Sequence, residues 1–258
     1  MSSFEFIEVS IDEGVGIIEL NRPKQLNALN RSMVREIVTA LEQLDGNEAA
    51  AAILITGKGH SFSAGADIDE MANNSPIQLE LINQFADWDR ISLIKKPIIG
   101  AVKGFVFGGG FELALSCDVL IAASGTQFSF PEVNLGVMPG AGGTQRLTKI
   151  VGRVKALEWV WTGERISAET ALAHGMINRI VSEELLMEET KKFAKKLAKK
   201  PPLALRLIKD SINKAVDYSL YEGMQYERKN FYLLFASQDQ KEGMQAFIEK
   251  RKAQFKGI

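Results

Sequence analysis

Apolar and polar residues follow two different periods along the first part of the chain. From Phe4 to Leu20 they alternate, with a break at Asp12-Glu13-Gly14, and this pattern predicts a β-hairpin. Asn30 then begins a stretch with helical spacing that Gly46 closes, and its apolar residues are Met33, Val34, Ile37, Ala40, Leu41 and Leu44. The apolar run from Ala50 to Thr56 predicts a buried strand. Strands that alternate with helices at this spacing predict βα units, in which helices cover a mostly parallel sheet.

The middle of the chain continues this alternation and contains dense glycine loops. Ile77–Ile94 predicts an amphipathic helix, and the β-branched run Pro97–Val102 predicts a strand. That strand leads into Gly104 and the triplet Gly108-Gly109-Gly110, after which a short apolar helix is expected at Phe111–Cys117. A helix from about Val154 to Trp161 and a strand at Ile177–Val181 follow.

The last part of the chain is predicted to be almost entirely helical. Helical spacing is present in four segments, Leu185–Lys199, Leu203–Val216, Ser219–Phe235 and Asp239–Phe255. Because Pro201-Pro202 interrupts them, we predict a core of residues 1–200 and a C-terminal helical region of residues 201–258. The run Phe231–Phe235 is apolar around the whole helix, so it must be covered on more than one side.

Composition and charge narrow the class of protein. A chain of 258 residues with 46% hydrophobic content can bury a substantial core, and its net charge of −1 gives no general reason to bind nucleic acid. The single cysteine, Cys117, cannot form an internal disulfide, which is typical of a reducing compartment. The sequence lacks the pattern of a signal peptide and any long uncharged apolar run. We therefore expect a cytoplasmic protein that binds neither nucleic acid nor membrane.

Two glutamates lie beside the glycine loops in apolar surroundings. Glu112 falls in the first turn of the short helix after the glycine triplet, and Glu132 follows Pro131 directly before the loop PGAGG. Glycines let backbone amides approach a ligand, and the start of a helix favours developing negative charge. Either acid alone is typical of a surface or capping residue. The pair, so placed, suggests acid/base chemistry.

Other conspicuous residues have structural interpretations. The loop GAGGTQR lacks the Lys-Ser/Thr of a phosphate loop and the third glycine of a dinucleotide fingerprint. Six lysines between positions 191 and 200 are spaced as one solvated helix face, and the isolated His60 and His174 make a poor metal site. Trp88, Trp159 and Trp161 are expected mainly to pack, with an acyl pocket as the alternative, and Cys117 is expected to be an inert core thiol.

Five segments, taken together, resemble the enoyl-CoA hydratase/isomerase, or crotonase, superfamily. They are NRPKQLNALN (21–30), SFSAGADIDEM (61–71), GFVFGGGFELALSCD (104–118), FPEVNLGVMPGAGGTQRL (130–147) and EGMQAFIEKRKAQFK (242–256). They occur in the family's order, and within the superfamily the chain is most similar to enoyl-CoA hydratases. The resemblance implies an α/β fold built as a spiral of ββα units with a C-terminal helical trimerisation region.

The resemblance also implies a reaction and its residues. Water would add to a trans-2-enoyl-CoA to give a 3-hydroxyacyl-CoA, as in fatty-acid β-oxidation or a related acyl-CoA degradation pathway. Glu132 would exchange a proton with the substrate carbon, and Glu112 would share in holding and activating the water. The backbone N–H groups of Ala66 and Gly109 would form the oxyanion hole. The two acids can supply both the base for water and the acid for the substrate carbon if the apolar pocket and mutual repulsion raise one pKa enough to keep that acid protonated.

Coenzyme A would be part of the substrate, with no metal or redox cofactor. The family places the substrate and its nucleotide against residues that correspond here to Arg22, Lys24, Asn27, Ala28, Leu29, Ala64, Asp67, Ile68, Gly108, Gly140 and Lys250. Lys250 would lie on the C-terminal helix near the nucleotide, from the same or a neighbouring subunit. The resemblance further implies a homo-oligomer, either a trimer or a dimer of trimers.

Two other functions stay open on the sequence alone. A family isomerase that moves the double bond typically keeps one acid, at the position of Glu132, so the presence of Glu112 favours hydration. A non-catalytic RNA-binding or scaffold member would not need both acids and would more often carry a basic face. Phe111 is bulkier than the small residue found there in some hydratases, so the shape of the pocket is open.

Overall fold

Two β-sheets carry the fold in the computed structural model, which describes residues 4–258. The first sheet has the order β1-β2-β3-β4-β6-β9 and the second has the order β5-β7-β8. Their strands are β1 (Ile7–Asp12), β2 (Val15–Leu20), β3 (Ala52–Gly57), β4 (Ile98–Val102), β5 (Phe105–Phe107), β6 (Val119–Ala123), β7 (Gln127–Ser129), β8 (Ile166–Ser167) and β9 (Arg179–Val181). In the first sheet only β1 and β2 pair antiparallel, so the prediction of a mostly parallel sheet is confirmed.

The predicted hairpin is present at the start of the chain. Ile7 pairs with Leu20 and Asp12 with Val15, around a turn at Glu13-Gly14. Both turn residues have positive φ, 47° and 82°, which is the backbone geometry that a tight two-residue hairpin turn requires.

Helices follow pairs of strands, so the order β1-β2-α1 recurs as β4-β5-α4 and β6-β7-α5. The helices are α1 (Arg31–Gly46), α2 (Pro76–Ile82), α3 (Ala86–Ile91), α4 (Gly109–Leu115), α5 (Gly143–Val151), α6 (Arg153–Thr162), α7 (Ala168–Ala173), α8 (Leu186–Ala198), α9 (Pro202–Ala215), α10 (Leu220–Leu234) and α11 (Gln238–Ile248). Asn30 caps α1 as predicted, because its side chain accepts a hydrogen bond from the Met33 N–H at 2.7 Å. Among the described residues, no helix combines the length and apolar character needed to cross a bilayer.

The first sheet is covered on both faces, which explains why its central strands are continuous apolar runs. One face packs with α1 in the larger core, around residues such as Ile18, Ile37 and Leu41. The other face packs with α8, where Leu54 and Ile99 meet Leu186 in a smaller core.

Two helices differ from their predicted lengths. The stretch Ile77–Ile94 was expected to be one helix, but it is divided into α2 and α3 because Asn83 adopts a left-handed φ of 45°. The last helix was expected to reach Phe255, but α11 ends at Ile248, and Lys250 then has a φ of 55°. Lys250 is therefore beyond the helix on which the sequence placed it.

The boundary predicted near Lys200 falls between α8 and α9. Side chains of α9 nevertheless hold the end of the sheet, since Lys209 Nζ donates to the Lys96 carbonyl at 2.9 Å and pairs with Asp118 at 2.7 Å. Arg206 donates to the carbonyl of Asp45 at 3.3 Å. The division into 1–200 and 201–258 stays a prediction.

Candidate active site

The Glu112 carboxyl is buried in the first turn of α4. The residue is 4% exposed, and its Oε1 accepts hydrogen bonds from the N–H groups of Ala141 at 2.7 Å and Gly143 at 2.8 Å. Ala141 lies in the glycine loop that precedes α5, and Gly143 is the first residue of that helix. The loop therefore holds the carboxyl by backbone donors that most substitutions leave in place.

The Glu132 carboxyl belongs to a short 3-10 helix, Pro131–Leu135, and has a different environment. Its Oε2 is buried and has no hydrogen-bond partner among the described residues. On the other side, a Cβ added at Gly108 would lie 3.0 Å from its Oε1. Gly108 has a φ of 49°, so both its backbone angle and this close approach require glycine.

The two carboxyl groups have different electrostatic environments. Burial raises the pKa of Glu132 to about 7, although a hydrogen bond from its own backbone acts to lower this pKa, and the negative charge of Glu112 adds to the increase. Burial also raises the pKa of Glu112, but the hydrogen bonds from Gly143 and Ala141, and then the charge of Arg146, act in the opposite direction. Near neutral pH, Glu132 can hold a proton, and the donors around Glu112 favour its ionised form.

The N–H groups of Ala66 and Gly109 lie on two segments that meet beside these acids. A Cβ added at Gly109 would lie 3.6 Å from the Ala66 nitrogen, and one added at Gly108 would lie 3.7 Å from Cα of Gly65. Within residues 4–258, neither Ala66 N–H nor Gly109 N–H donates to a protein acceptor. Two neighbouring unpaired donors are the arrangement that an oxyanion requires.

The loop with Arg22 and Asn27 is tied to the segment that carries Ala66. The Arg22 guanidinium pairs with Asp67 at 3.0 Å and donates to the Ala28 carbonyl at 2.5 Å. Leu29 N–H donates to the Gly65 carbonyl at 2.8 Å, and Asp67 N–H donates back to Leu29 at 2.9 Å. These bonds fix the backbone on one side of the Ala66 donor.

Asn27 is fully buried, and its side chain bonds to backbone groups of this loop and of the segment next to it. Its side chain accepts from Arg22 N–H at 2.8 Å and donates to the carbonyls of Lys58 and Ser61 at 3.0 and 2.9 Å. Its φ of 56° lies in the left-handed region that asparagine tolerates better than most residues. These hydrogen bonds show that the side chain of Asn27 stabilises the loop.

The remaining residues assigned by resemblance occupy different surroundings. Lys24 and Ile68 are exposed, and Ala64 N–H donates to the Leu26 carbonyl at 2.9 Å. Gly140 faces the ring of Phe85, which lies 2.5 Å from where a Cβ would be. Lys250 is exposed, and its ammonium forms no ion pair or hydrogen bond with residues 4–258.

Four residues of the site were missed by sequence reasoning. Ala141 and Gly143 donate to Glu112, Arg146 acts on its charge, and Phe130 packs beside Gly143. The sequence of the glycine loop indicates a loop beside a helix start, but it contains no signal that Glu112 is its partner. Phe111 is the bulky residue whose effect on the shape of the pocket the sequence does not determine. It is fully buried and packs against Phe128 and Phe130.

Other conspicuous side chains have mainly structural surroundings. Trp88 and Trp159 pack against the core as predicted. Trp161 is 69% exposed, so the prediction that it packs is wrong within this chain. Burial raises the pKa of the Cys117 thiol, which agrees with an inert core cysteine.

A surface groove of about 830 Å³ lies away from the two acids, between α8 and residues 252–255. It is lined by lysines of the predicted solvated face. Two of these lysines are engaged at the hairpin turn, since Lys191 pairs with Asp12 and Lys195 pairs with Asp12 and Glu13. The groove lacks any buried acid or converging backbone donor, so we place the candidate active site at Glu112 and Glu132.

Comparison with known proteins agrees with this geometry. The family model described as enoyl-CoA hydratase/isomerase matches residues 10–258. The chain is 47% identical to a mitochondrial enoyl-CoA hydratase of Pongo abelii, over 94% of this chain and 83% of that protein. It is 44% identical to a probable enoyl-CoA hydratase of Mycobacterium tuberculosis, over 98% of each.

A solved structure extends the comparison to the fold. The crystal structure of "Enoyl-CoA Hydrates Subunit I" from Geobacillus kaustophilus superposes with a TM-score of 0.98 at 64% identity and covers all of both chains. The chain belongs to the enoyl-CoA hydratase/isomerase family. The predicted resemblance, the crotonase-like ββα fold and the helical C-terminal region are thereby confirmed.

Proposed function

We propose that the protein is an enoyl-CoA hydratase that adds water to a trans-2-enoyl-CoA and forms a 3-hydroxyacyl-CoA. The family and the hydratases among its relatives support this activity. The observation that carries the proposal is the contrast between two neighbouring acids. Glu132 has a pKa of about 7 and a buried oxygen that has no hydrogen-bond partner in the described part of the chain, whereas Glu112 receives two backbone hydrogen bonds.

The proposed mechanism divides acid and base work between these residues. Glu112, ionised, holds a water and takes its proton as the water oxygen bonds to Cβ of the substrate. The electrons of the double bond move toward the thioester carbonyl, and the N–H groups of Ala66 and Gly109 stabilise the charge on its oxygen. Glu132, protonated, delivers its proton to Cα. Exchange with solvent then restores the starting protonation of both acids.

The proposal assigns the coenzyme A portion of the substrate to the loop that contains Arg22 and Lys24 and to Lys250. No metal or redox cofactor takes part in this mechanism, because water and the two acids supply every atom and proton that moves. The Arg22 guanidinium is already paired with Asp67, so Lys24 is the freer cation for a phosphate group.

We also propose that the chain assembles as a trimer or as a dimer of trimers. Large apolar side chains are exposed on α10 and α11, among them Tyr232 at 68%, Phe247 at 85% and Ile248 at 72%. Surface of this kind is typical of a covered interface. A cytoplasmic location, supported by the single cysteine, and a role in fatty-acid or related acyl-CoA degradation complete the proposal.

The test is a direct assay of hydration by the purified full-length chain. Each of a series of 2-enoyl-CoA thioesters of different chain length is added, and the absorbance of the conjugated thioester is followed. The proposal predicts loss of this absorbance and a product heavier by one water. Unchanged absorbance with every substrate would contradict it.

Double-bond isomerisation is the competing activity, and the product mass distinguishes the two. An isomerase would change the absorbance of the conjugated thioester but leave the mass of the substrate unchanged. Glu112 favours hydration, because a shift of the double bond needs one proton carrier and this site has a second buried acid held by two donors.

A further inference from the structure

The two acid-bearing segments are joined by stacked aromatic rings. Phe111 immediately precedes Glu112 in α4, and Phe130 lies two residues before Glu132. Their ring centroids are 4.6 Å apart with an interplanar angle of 25°, and both side chains are at most 1% exposed. Such a stacked pair adds attraction beyond the burial of its area and resists sliding within a close-packed core.

The same stack supports the loop that holds Glu112. A Cβ added at Gly143 would lie 2.8 Å from Cε1 of Phe130 and 2.9 Å from Oε1 of Glu112. Gly143 is thus enclosed between the ring and the carboxyl to which its N–H donates at 2.8 Å. The Phe130 ring therefore contacts the backbone donor of one acid while its own segment carries the other.

We propose that Phe111 and Phe130 are positioning residues that fix the placement of the Glu112 and Glu132 carboxyl groups relative to one another. The inference rests on the proposed hydratase function, because only a reaction that uses both acids needs their spacing to be fixed.

Shortening either ring opens space between α4 and the segment that carries Glu132. The charged groups that act on the pair are few. The positive charge of Arg146, on α5, acts to lower the pKa of Glu112, on α4. The negative charge of Glu112 raises the pKa of Glu132. Separation of the acids, or entry of water, weakens both causes that raise the pKa of Glu132, so its pKa falls.

The experiment compares Phe111→Leu and Phe130→Leu with Leu41→Ala. The control side chain is also fully buried in the larger core, and its replacement removes the same number of carbon atoms, but it lies on α1, which carries neither acid. We expect both phenylalanine variants to lower kcat about 10- to 100-fold with little change in KM, as for a small misplacement of reacting groups. The alkaline limb of the pH profile should move to lower pH in both, and Leu41→Ala should match the wild type.

A second readout does not depend on catalysis. The free energy of unfolding in urea is measured against pH for each background with Glu132 and with Glu132→Gln, and the difference reports the pKa of Glu132 by proton linkage. We expect this pKa to fall by about half a unit or more in Phe111→Leu, and to stay in place in Leu41→Ala.

The two readouts separate failure of this inference from failure of the proposed function. If Phe111→Leu leaves the pKa of Glu132 unchanged and loses no more activity than Leu41→Ala, the stack is ordinary core packing and the inference is overturned. If the wild type hydrates no enoyl-CoA, the proposed function fails, while the linkage measurement still tests whether the stack places the two acids.

Discussion

The backbone N–H of Gly143 donates to Oε1 of Glu112 at 2.8 Å, and the two residues are 31 positions apart in the chain. The bond joins the start of α5 to the start of α4. It also favours the ionised form of one acid in a pocket where burial acts against charge. Among residues 4–258, no donor reaches the buried Oε2 of Glu132, and this asymmetry is the basis for assigning base and acid.

Replacement of either acid by glutamine should abolish most hydration. Glu132→Gln and Glu112→Gln keep the size of the side chain but remove the titrating group, so kcat should fall by about 10²- to 10⁴-fold. Binding of the thioester should survive. The exposed Glu5→Gln is the matched control and should keep the wild-type rate. Near-wild-type hydration in either buried variant would exclude the two-carboxylate mechanism.

The rate should depend on pH with a bell shape. Glu132 must hold its proton, so kcat/KM should fall as pH rises through about 7, the pKa of this carboxyl. Glu112 must be ionised, and its pKa lies above its ordinary value, so activity should also fall on the acid side. The two limbs report the coupled pair. A flat profile from pH 5 to about 9 would contradict these roles.

Glu132 should cost the protein stability at neutral pH. Below its ordinary pKa the carboxyl is protonated in both folded and unfolded chains. As pH rises toward about 7 the unfolded chain loses this proton first, so the free energy of unfolding falls. Glu132→Gln should therefore gain about 1 to 2 kcal/mol relative to wild type between pH 4 and pH 8, after allowance for solvent screening. The measurement is urea unfolding of both proteins at the two pH values. If the free energies of unfolding of Glu132→Gln and wild type differ by the same amount at pH 4 and at pH 8, the raised pKa is contradicted.

The Gly109 donor can be removed where a helix tolerates proline. Gly109 is the first residue of α4, a position at which proline loses no helical hydrogen bond. Gly109→Pro should raise the barrier by about 3 kcal/mol, as expected for the loss of one oxyanion donor. Gly109→Ala keeps the N–H, and its Cβ meets neighbours only at ordinary distances, the nearest at 3.6 Å, so its loss should be smaller. Circular dichroism checks the fold, and a folded proline variant with unchanged turnover would place the thioester oxygen elsewhere.

Lys250, the proposed coenzyme A contact, lies beyond the end of α11, and its ammonium forms no ion pair or hydrogen bond with residues 4–258. Lys250→Ala should raise KM more than it lowers kcat, because the phosphate contact is equal in ground and transition states. Lys241→Ala, an exposed lysine of α11, serves as the control.

Light scattering should give a trimer or hexamer for the wild type, Lys250→Ala and Lys241→Ala. A fully active monomer would show that the exposed faces of α10 and α11 are no interface.

Much of the fold could be predicted because its signals are local. The hairpin and α1 follow from alternation, helical spacing and an Asn30 cap, and each of these acts within a few residues. The division between α2 and α3 could not be predicted in the same way. It depends on one left-handed residue, Asn83, inside a stretch whose apolar spacing is continuous.

The candidate site shows the same limit. The two acids and the glycine loops were recognisable because their sequence surroundings are unusual. The bond from Gly143 to Glu112 and the stack of Phe111 on Phe130 depend on how distant segments meet in space. The raised pKa of Glu132 likewise depends on burial that tertiary packing creates.

The division of roles between the acids is tested most directly by proton exchange at the substrate Cα. A saturated acyl-CoA is incubated in D₂O with wild type, Glu112→Gln or Glu132→Gln, and deuterium at Cα is followed by mass spectrometry. We expect Glu112→Gln to lose hydration but to keep part of the exchange, because Glu132 still meets Cα, whereas Glu132→Gln should lose both. Exchange at the wild-type rate in Glu132→Gln would contradict the assignment of Glu132 as the residue that protonates Cα.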